Sequence, residues 1–332
     1  MNPDDDPDEK HTVVGHGIGH NHERFVILRM AHNPGRFSLI GLIYWEGQVF
    51  FGKVSQKKRS HFKQVEMLMT LTKKYFNREI KEKVAPLLYD HGPIYGKDQR
   101  YIAMEMMWYD CDAPRRICDA RYTVQSTLRL AIKQVRALQR AHECGIVVRD
   151  IKHDNFCFSQ PNRDEPSDWD VFVVDFGNAS YFQPEFCVSF EELGKRFRCN
   201  PKAIRFNLRS PRVLCYSYNA YTPYDDMEQW LYYIAKAKCP YDVLFDGLFE
   251  EKDMYRMEQY FSSYFRGVYH VMCRVKREEP FPYDEVVRAL EESLTYVQSC
   301  DGSKEKGELM VVQKDYQVKR ITKVLPSHQM IW

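Results

Sequence analysis

The chain has 332 residues, with 48 Lys and Arg against 46 Asp and Glu, a net charge of +2 with His neutral. So even a balance argues against a surface built as a whole for nucleic acid. A content of 44% hydrophobic and 14% aromatic residues supplies too much core material for a disordered chain. No apolar run reaches the roughly 18 residues a membrane-spanning helix needs. The acidic start MNPDDDPDEK is not a secretory signal, so cytoplasm or nucleus is the expected location. Ten cysteines include no C-x2-C pair and read as scattered free thiols, with neither a zinc site nor a disulfide framework expected.

In chain order, residues 1–22 hold Asp4, Asp5, Asp6, Asp8 and Glu9 and few large apolar side chains, and read as a flexible acidic tail containing His11, His16, His20 and His22. The Gly15-x-Gly17-x-Gly19 run lacks the preceding strand that a phosphate loop requires. Strands are predicted at 25–30, 37–45 and 48–54, with a turn at Glu46-Gly47 between the last two. A helix over 60–76 is predicted to bury Phe62, Val65, Leu68 or Met69, and Leu71, and two more strands fall at 87–89 and 101–107. Beyond these, helical spacing dominates. Val124, Leu128, Ile132, Val135 and Leu138 mark a helix that should stop near Gly145. Met227, Trp230, Leu231 and Ile234 mark another, and Val286, Val287, Leu290 and Leu294 a third. Short apolar strands are expected at 146–148 and 171–176, and the mixed stretch 298–332 holds apolar residues such as Val311, Val312 and Trp332 that could pack.

The chemistry concentrates in VVRDIKHDNF, residues 147–156, where Asp150, Lys152 and Asn155 form D-x-K-x-x-N. Asp175-Phe176-Gly177 follows at the end of VFVVDF. Phosphoryl transfer needs a carboxylate to orient an attacking hydroxyl and take its proton, a cation near the moving phosphoryl group, and hard oxygen ligands for Mg2+. Asp150 suits the first, Lys152 the second, and Asn155 with Asp175 the third.

This motif pair resembles that of the eukaryotic protein kinases, of the serine/threonine class. VVRDIKHDNF is similar to the catalytic loop H-R-D-I-K-P-D-N-F of the casein kinase I family, including its tau-tubulin kinase branch. Tyr224–Trp230 (YDDMEQW) resembles the same family's R-D-D-L-E-S, and Pro282-Tyr283 opens a helix like its last one. The resemblance implies an α+β, two-lobed protein kinase-like fold, with a small five-stranded β lobe carrying one helix (23–107) and a larger, mainly helical lobe (108–297). It implies ATP and Mg2+ as cofactors, Ser/Thr of proteins as substrate, a monomer, and neither nucleic acid nor membrane as partner. Residue by residue, it makes Asp150 and Lys152 catalytic and Asn155 and Asp175 metal ligands. Lys53, in VFFGKVS, becomes the clamp on the ATP phosphates, and Glu66, in QVEMLMTL, its ion-pair partner. Gly35 belongs to the glycine-rich loop and Ile40 to the strand that follows it. Met104 takes the gatekeeper position, Glu105, Met106 and Met107 the adenine-binding hinge, Phe51 the roof of the adenine site and Cys157 its floor.

Three departures stand out. Only Gly35 survives where three loop glycines are expected, Asn33 and Ser38 taking the other two positions. Val148 replaces the His of H-R-D. Phe51 stands where a small Ala is usual, offset by the small Cys157 opposite, a volume-conserving exchange that predicts nucleotide bound in a shifted pose. The departures favour a rival reading, a pseudokinase acting as a nucleotide-binding or scaffold module. Between Lys195 and Arg212 the chain has no acid and carries Arg196, Arg198, Lys202, Arg205 and Arg209 as well. Two readings stay open for this stretch. One is a solvated basic loop. In the other, Arg198, Lys202, Arg205 and Arg212 receive an acidic or phosphorylated peptide, with Ser210 near the catalytic Asp.

Overall fold

Hydrogen-bonded sheet dominates the first part of the chain and helix the second. The computed structural model describes residues 11–18, 24–30, 38–45, 47–55, 58–159, 169–197, 221–236, 263–301, 309–312 and 317–320. Two units emerge, one from Met1–Asp110 with Cys157–Asn178, the other from Cys111–Phe156 with Ala179–Val324.

The first unit is built on a six-stranded sheet: β1 (His11–Ile18), β2 (Arg24–Met30), β3 (Ser38–Trp45), β4 (Gln48–Ser55), β5 (Leu88–Pro93) and β6 (Arg100–Met104), in the order β1-β2-β3-β4-β6-β5. Gly47, at φ +78°, supplies the left-handed residue that closes the tight β3–β4 connection on the Trp45↔Gln48 pair. From Phe50 onward β4 is buried, and Ile43, Phe50, Val54, Ile94, Tyr101 and Ala103 form one apolar cluster. β1 corrects the tail reading of residues 1–22. His11–Ile18 pairs antiparallel with β2, from His11↔Met30 to Ile18↔Arg24, with an irregularity between Val13 and Gly15. The sheet therefore has six strands where the sequence predicts five.

Helix α1 (Lys58–Phe76) buries His61, Gln64, Val65, Leu68 and Leu71, the i, i+3, i+4, i+7, i+10 stripe of an amphipathic helix. Phe62, predicted to face inward, is 50% exposed, and Met69 is also outside that stripe. Strands β9 (Phe156–Phe158) and β10 (Val171–Val173) pair with each other. Trp108 N–H donates to the Phe158 carbonyl at 2.9 Å and Phe158 N–H to the Tyr109 carbonyl at 2.8 Å.

The second unit contains α2 (Ala113–Cys118), β7 (Arg121–Tyr122), α3 (Val124–Glu143), β8 (Ile146–Val147), β11 (Ser180–Tyr181), α4 (Phe190–Phe197), α5 (Pro223–Lys236), α6 (Arg266–Arg274), α7 (Tyr283–Asp301), β12 (Met310–Val312) and β13 (Val318–Arg320). Thr123 caps α3, accepting from Ser126 N–H at 3.2 Å, and Gly145, at φ +75°, lies just past its end. Leu128, Ala131, Val135 and Leu138 of α3 are fully buried, and α3 packs against α7, which buries Val286, Val287 and Leu290. The Arg136–Asp284 ion pair (2.7 Å) joins the same two helices. Part of the stretch 298–332 belongs to this unit. β12 pairs with β7 and with β13, and Leu309 and Val311 are buried.

Candidate active site

Lys53 lies on the buried half of β4 and is 9% exposed. Its Nζ donates to Gln64 Oε1 at 2.8 Å and pairs with Asp175 Oδ1 at 2.9 Å. Gln64 Nε2 in turn donates to the Val174 carbonyl at 3.2 Å, and Asp175 Oδ1 also accepts from Gly177 N–H at 2.9 Å. A buried ammonium needs a counter-charge or full hydrogen bonding. Here it has one carboxylate and one neutral amide.

The expected Lys53–Glu66 pair does not form. Glu66 is exposed on α1, and only its backbone carbonyl is engaged, by Thr70 Oγ1 at 2.9 Å. Two positions along a helix turn a side chain through about 200°, so residues 64 and 66 cannot share a face. Gln64 is the site residue that motif spacing missed. Its signal was the stripe of Val65, Leu68 and Leu71, which includes position 64 and excludes position 66.

His61, one turn before Gln64, is 1% exposed. Burial, reinforced by the nearby Arg100, His91 and Lys53, pushes its pKa down to about 4.

Around Lys53, Ile40 lies opposite it in the β3–β4 register and is half-buried. Phe51 is 3% exposed and registers with Leu42 on one side and Met104 on the other. Met104, Met107 and Cys157 are buried, and Met106 is half-buried. The Glu105 N–H donates to the Leu87 carbonyl (2.8 Å). Its carboxylate accepts from Lys83 Nζ at 2.5 Å and from Leu87 N–H at 3.2 Å. That side chain therefore fixes the approach to β5. Gly35 lies outside the described residues.

In the second unit the loop 147–156 hangs on Asp226, in the first turn of α5 and fully buried. Its carboxylate accepts from Val148 N–H (2.6 Å), Arg149 N–H (2.8 Å) and the Tyr221 hydroxyl (2.8 Å), and meets His142 Nε2 at 2.8 Å. Arg149 adopts φ +67°, a left-handed conformation that costs a non-glycine residue about 1–2 kcal/mol. The bonds to Asp226 hold it there. Ile151 N–H donates to Gln229 Oε1 at 3.0 Å, and Asn155 Nδ2 to the Asp150 carbonyl at 2.8 Å. Lys152 Nζ is 3.8 Å from Asp150 Oδ2. Val148 is fully buried, supplying packing where the family pattern has His. Asp225, beside the hub, pairs with Arg277 at 2.6 Å and accepts from Thr222 N–H at 2.7 Å. The proposed substrate residues Arg198, Lys202, Arg205, Ser210 and Arg212 lie outside the described residues.

The donor chemistry fits Mg2+. In the second unit, Asn155 donates through Nδ2 to the Asp150 carbonyl, which leaves its amide oxygen as the atom that would face an ion. In the first unit, Asp175 carries a carboxylate, the hard oxygen donor such an ion would take. Among the described residues no three His, Cys, Asp or Glu side chains converge on a metal cage. Mg2+ needs none, since it is held by one or two side chains together with substrate phosphates.

No family model matches the chain. It is 37% identical over 68 residues to casein kinase I homolog 1 of Schizosaccharomyces pombe, 20% of this chain and 15% of that one. To the serine/threonine-protein kinase spe-6 of Caenorhabditis elegans it is 26% identical over 180 residues, 51% of this chain and 44% of that one. The chain thus spans less than half the length of these curated relatives. In structure it is similar to vaccinia related kinase 3, with a TM-score of 0.61 and 12% identity, covering 87% of this chain and 92% of that one. The chain has the protein kinase fold, and in sequence it is a divergent relative of the casein kinase I homologues and other serine/threonine kinases.

Proposed function

We propose that the chain is a protein serine/threonine kinase, transferring the γ-phosphoryl group of ATP to a protein hydroxyl. The observation that carries this reading is the held geometry of the catalytic loop. Asp226 and Gln229 fix its backbone, and Asn155 is tied to the Asp150 carbonyl, so Asp150, Lys152 and Asn155 are presented at set positions. In this reading Asp150 orients the substrate hydroxyl and takes its proton as the new O–P bond forms. The bond from γ-phosphorus to the bridging oxygen breaks, and ADP leaves. Lys152 offsets charge on the moving phosphoryl oxygens, and Lys53 binds the α- and β-phosphates. Mg2+ on Asn155 and Asp175 would supply charge neutralisation of the phosphates. Protein substrates, Mg2+-ATP and a preference for acidic or phosphorylated sites belong to the same proposal.

The test is transfer of labelled γ-phosphate to a generic acidic protein. Asp150→Asn is expected to lower the rate by about 10²–10⁴-fold, and Asp175→Asn to lower it as well. Wild-type signal equal to both variants would sink the reading. A second reading, a scaffold with the kinase fold, draws on Gln64 in place of a helix carboxylate and on Phe51 buried beside Met104. It gains if transfer is absent and Mg2+-ATP leaves the melting temperature unmoved.

A further inference from the structure

We infer that Gln64 is the positioning residue of Lys53, a role that deepens the kinase reading and rests on it for its consequence in catalysis. The two ends of one amide face two unlike partners. The ammonium of Lys53 can only donate, and the carbonyl of Val174 can only accept. An amide satisfies both at once, with Oε1 2.8 Å from Lys53 Nζ and Nε2 3.2 Å from the Val174 carbonyl. A carboxylate at this position would serve the lysine and set an oxygen against the carbonyl. Gln64 therefore couples Lys53 to the segment that carries Asp175, one residue beyond Val174. It does so from a side chain that is 1% exposed on the buried stripe of α1. The exchange of a carboxylate for an amide also leaves Asp175 as the charged partner of Lys53 in the geometry described. Glu66 has no part in this arrangement.

The experiment measures acetylation of Lys53 in the full chain by an N-hydroxysuccinimide ester of acetate, followed residue by residue by mass spectrometry. An ammonium held by two partners reacts slowly. Gln64→Met, which removes both ends of the bridge, is expected to speed Lys53 acetylation roughly tenfold, the size of one hydrogen bond to a charged group. Gln64→Asn, which withdraws the amide by one methylene, is expected to act in the same direction and serves if the Met variant fails to fold. Gln64→Glu keeps the acceptor and is expected to preserve protection. Glu66→Ala is expected to leave the rate within about twofold, well under the effect of one such bond. Unchanged acetylation in a folded Gln64→Met or Gln64→Asn variant overturns the inference, as does an equal rise in Glu66→Ala. Steady-state kinetics add a readout that a purely structural role would not give: Gln64→Met is expected to raise KM for Mg2+-ATP more than it lowers kcat. If the wild type binds no nucleotide, the kinase reading fails on that result, while the acetylation comparison still decides the role of Gln64.

Discussion

At His61 burial and three basic neighbours act in the same direction, and the pKa near 4 that results has a sign that can be tested. The unfolded chain takes up this proton near the ordinary value of 6.5 and the folded chain near 4. Between those values the unfolded state binds more protons, so stability falls as pH drops through this window and is fully present above it. The loss from this group reaches about 3.5 kcal/mol at most, taking about 1.4 kcal/mol for each pH unit between the two values. His61→Leu removes the titration and keeps the side chain apolar. Urea midpoints at pH 7, 5.5 and 4.5 are expected to fall less steeply in the variant, and parallel slopes would refute the assignment. The same helix shows what motif reasoning can and cannot see. Lys53 and Asp175 are singled out by residue type and motif spacing, and the fold brings the two together. The helix partner of Lys53 is not legible in this way, because a carboxylate was expected and the side chain that arrives is an amide. Helical phase, read from Val65, Leu68 and Leu71, points to position 64.

Among the elements, α5 does most to shape the loop 147–156. Its first turn brings two adjacent carboxylates, Asp225 and Asp226, into buried positions with separate tasks, one on Arg277 and the other on the loop backbone. Asp226 offers two oxygens to four donors: the Val148 and Arg149 amides, the Tyr221 hydroxyl and His142. Asp226→Asn replaces one oxygen by a donor, so some of these groups lose their acceptor inside the protein. The expected cost is about 2–4 kcal/mol, the range for buried polar groups left unpaired beside a charged site. It should appear as a lower denaturant midpoint and, with Arg149 no longer held at positive φ, as a reduced transfer rate. A variant with wild-type stability and rate would show that the hub is dispensable. YDDMEQW was visible in the sequence as a likeness, but the division of labour between its two aspartates depends on which groups the fold brings to them. β1 was missed for a related reason. Val13, Val14 and Ile18 favour a strand, but Gly15, Gly17 and the acids before them weigh against one, and β2 as a partner settles the matter.

Over the whole molecule the net charge of +2 is an average of opposed regions, and that average conceals a testable asymmetry. Five acids fall within residues 4–9, while Lys195–Arg212 carries seven basic residues and no acid. One of the seven, Lys195, is paired with Glu191 in an exposed i, i+4 contact at 2.9 Å, where solvent screens the attraction. If the basic stretch selects substrates by charge, salt weakens the attraction, with a screening length of roughly 8 Å at physiological ionic strength. The expected outcome is a higher kcat/KM for Ser peptides flanked by Asp, Glu or phosphoserine than for neutral ones. The advantage should shrink as salt rises from about 0.05 to 0.5 M, where the screening length falls severalfold. Arg205→Glu should reduce the advantage further while the neutral peptide keeps its rate. Equal rates on acidic and neutral peptides at low salt would assign the basic stretch to solvent and leave substrate choice to other parts of the surface.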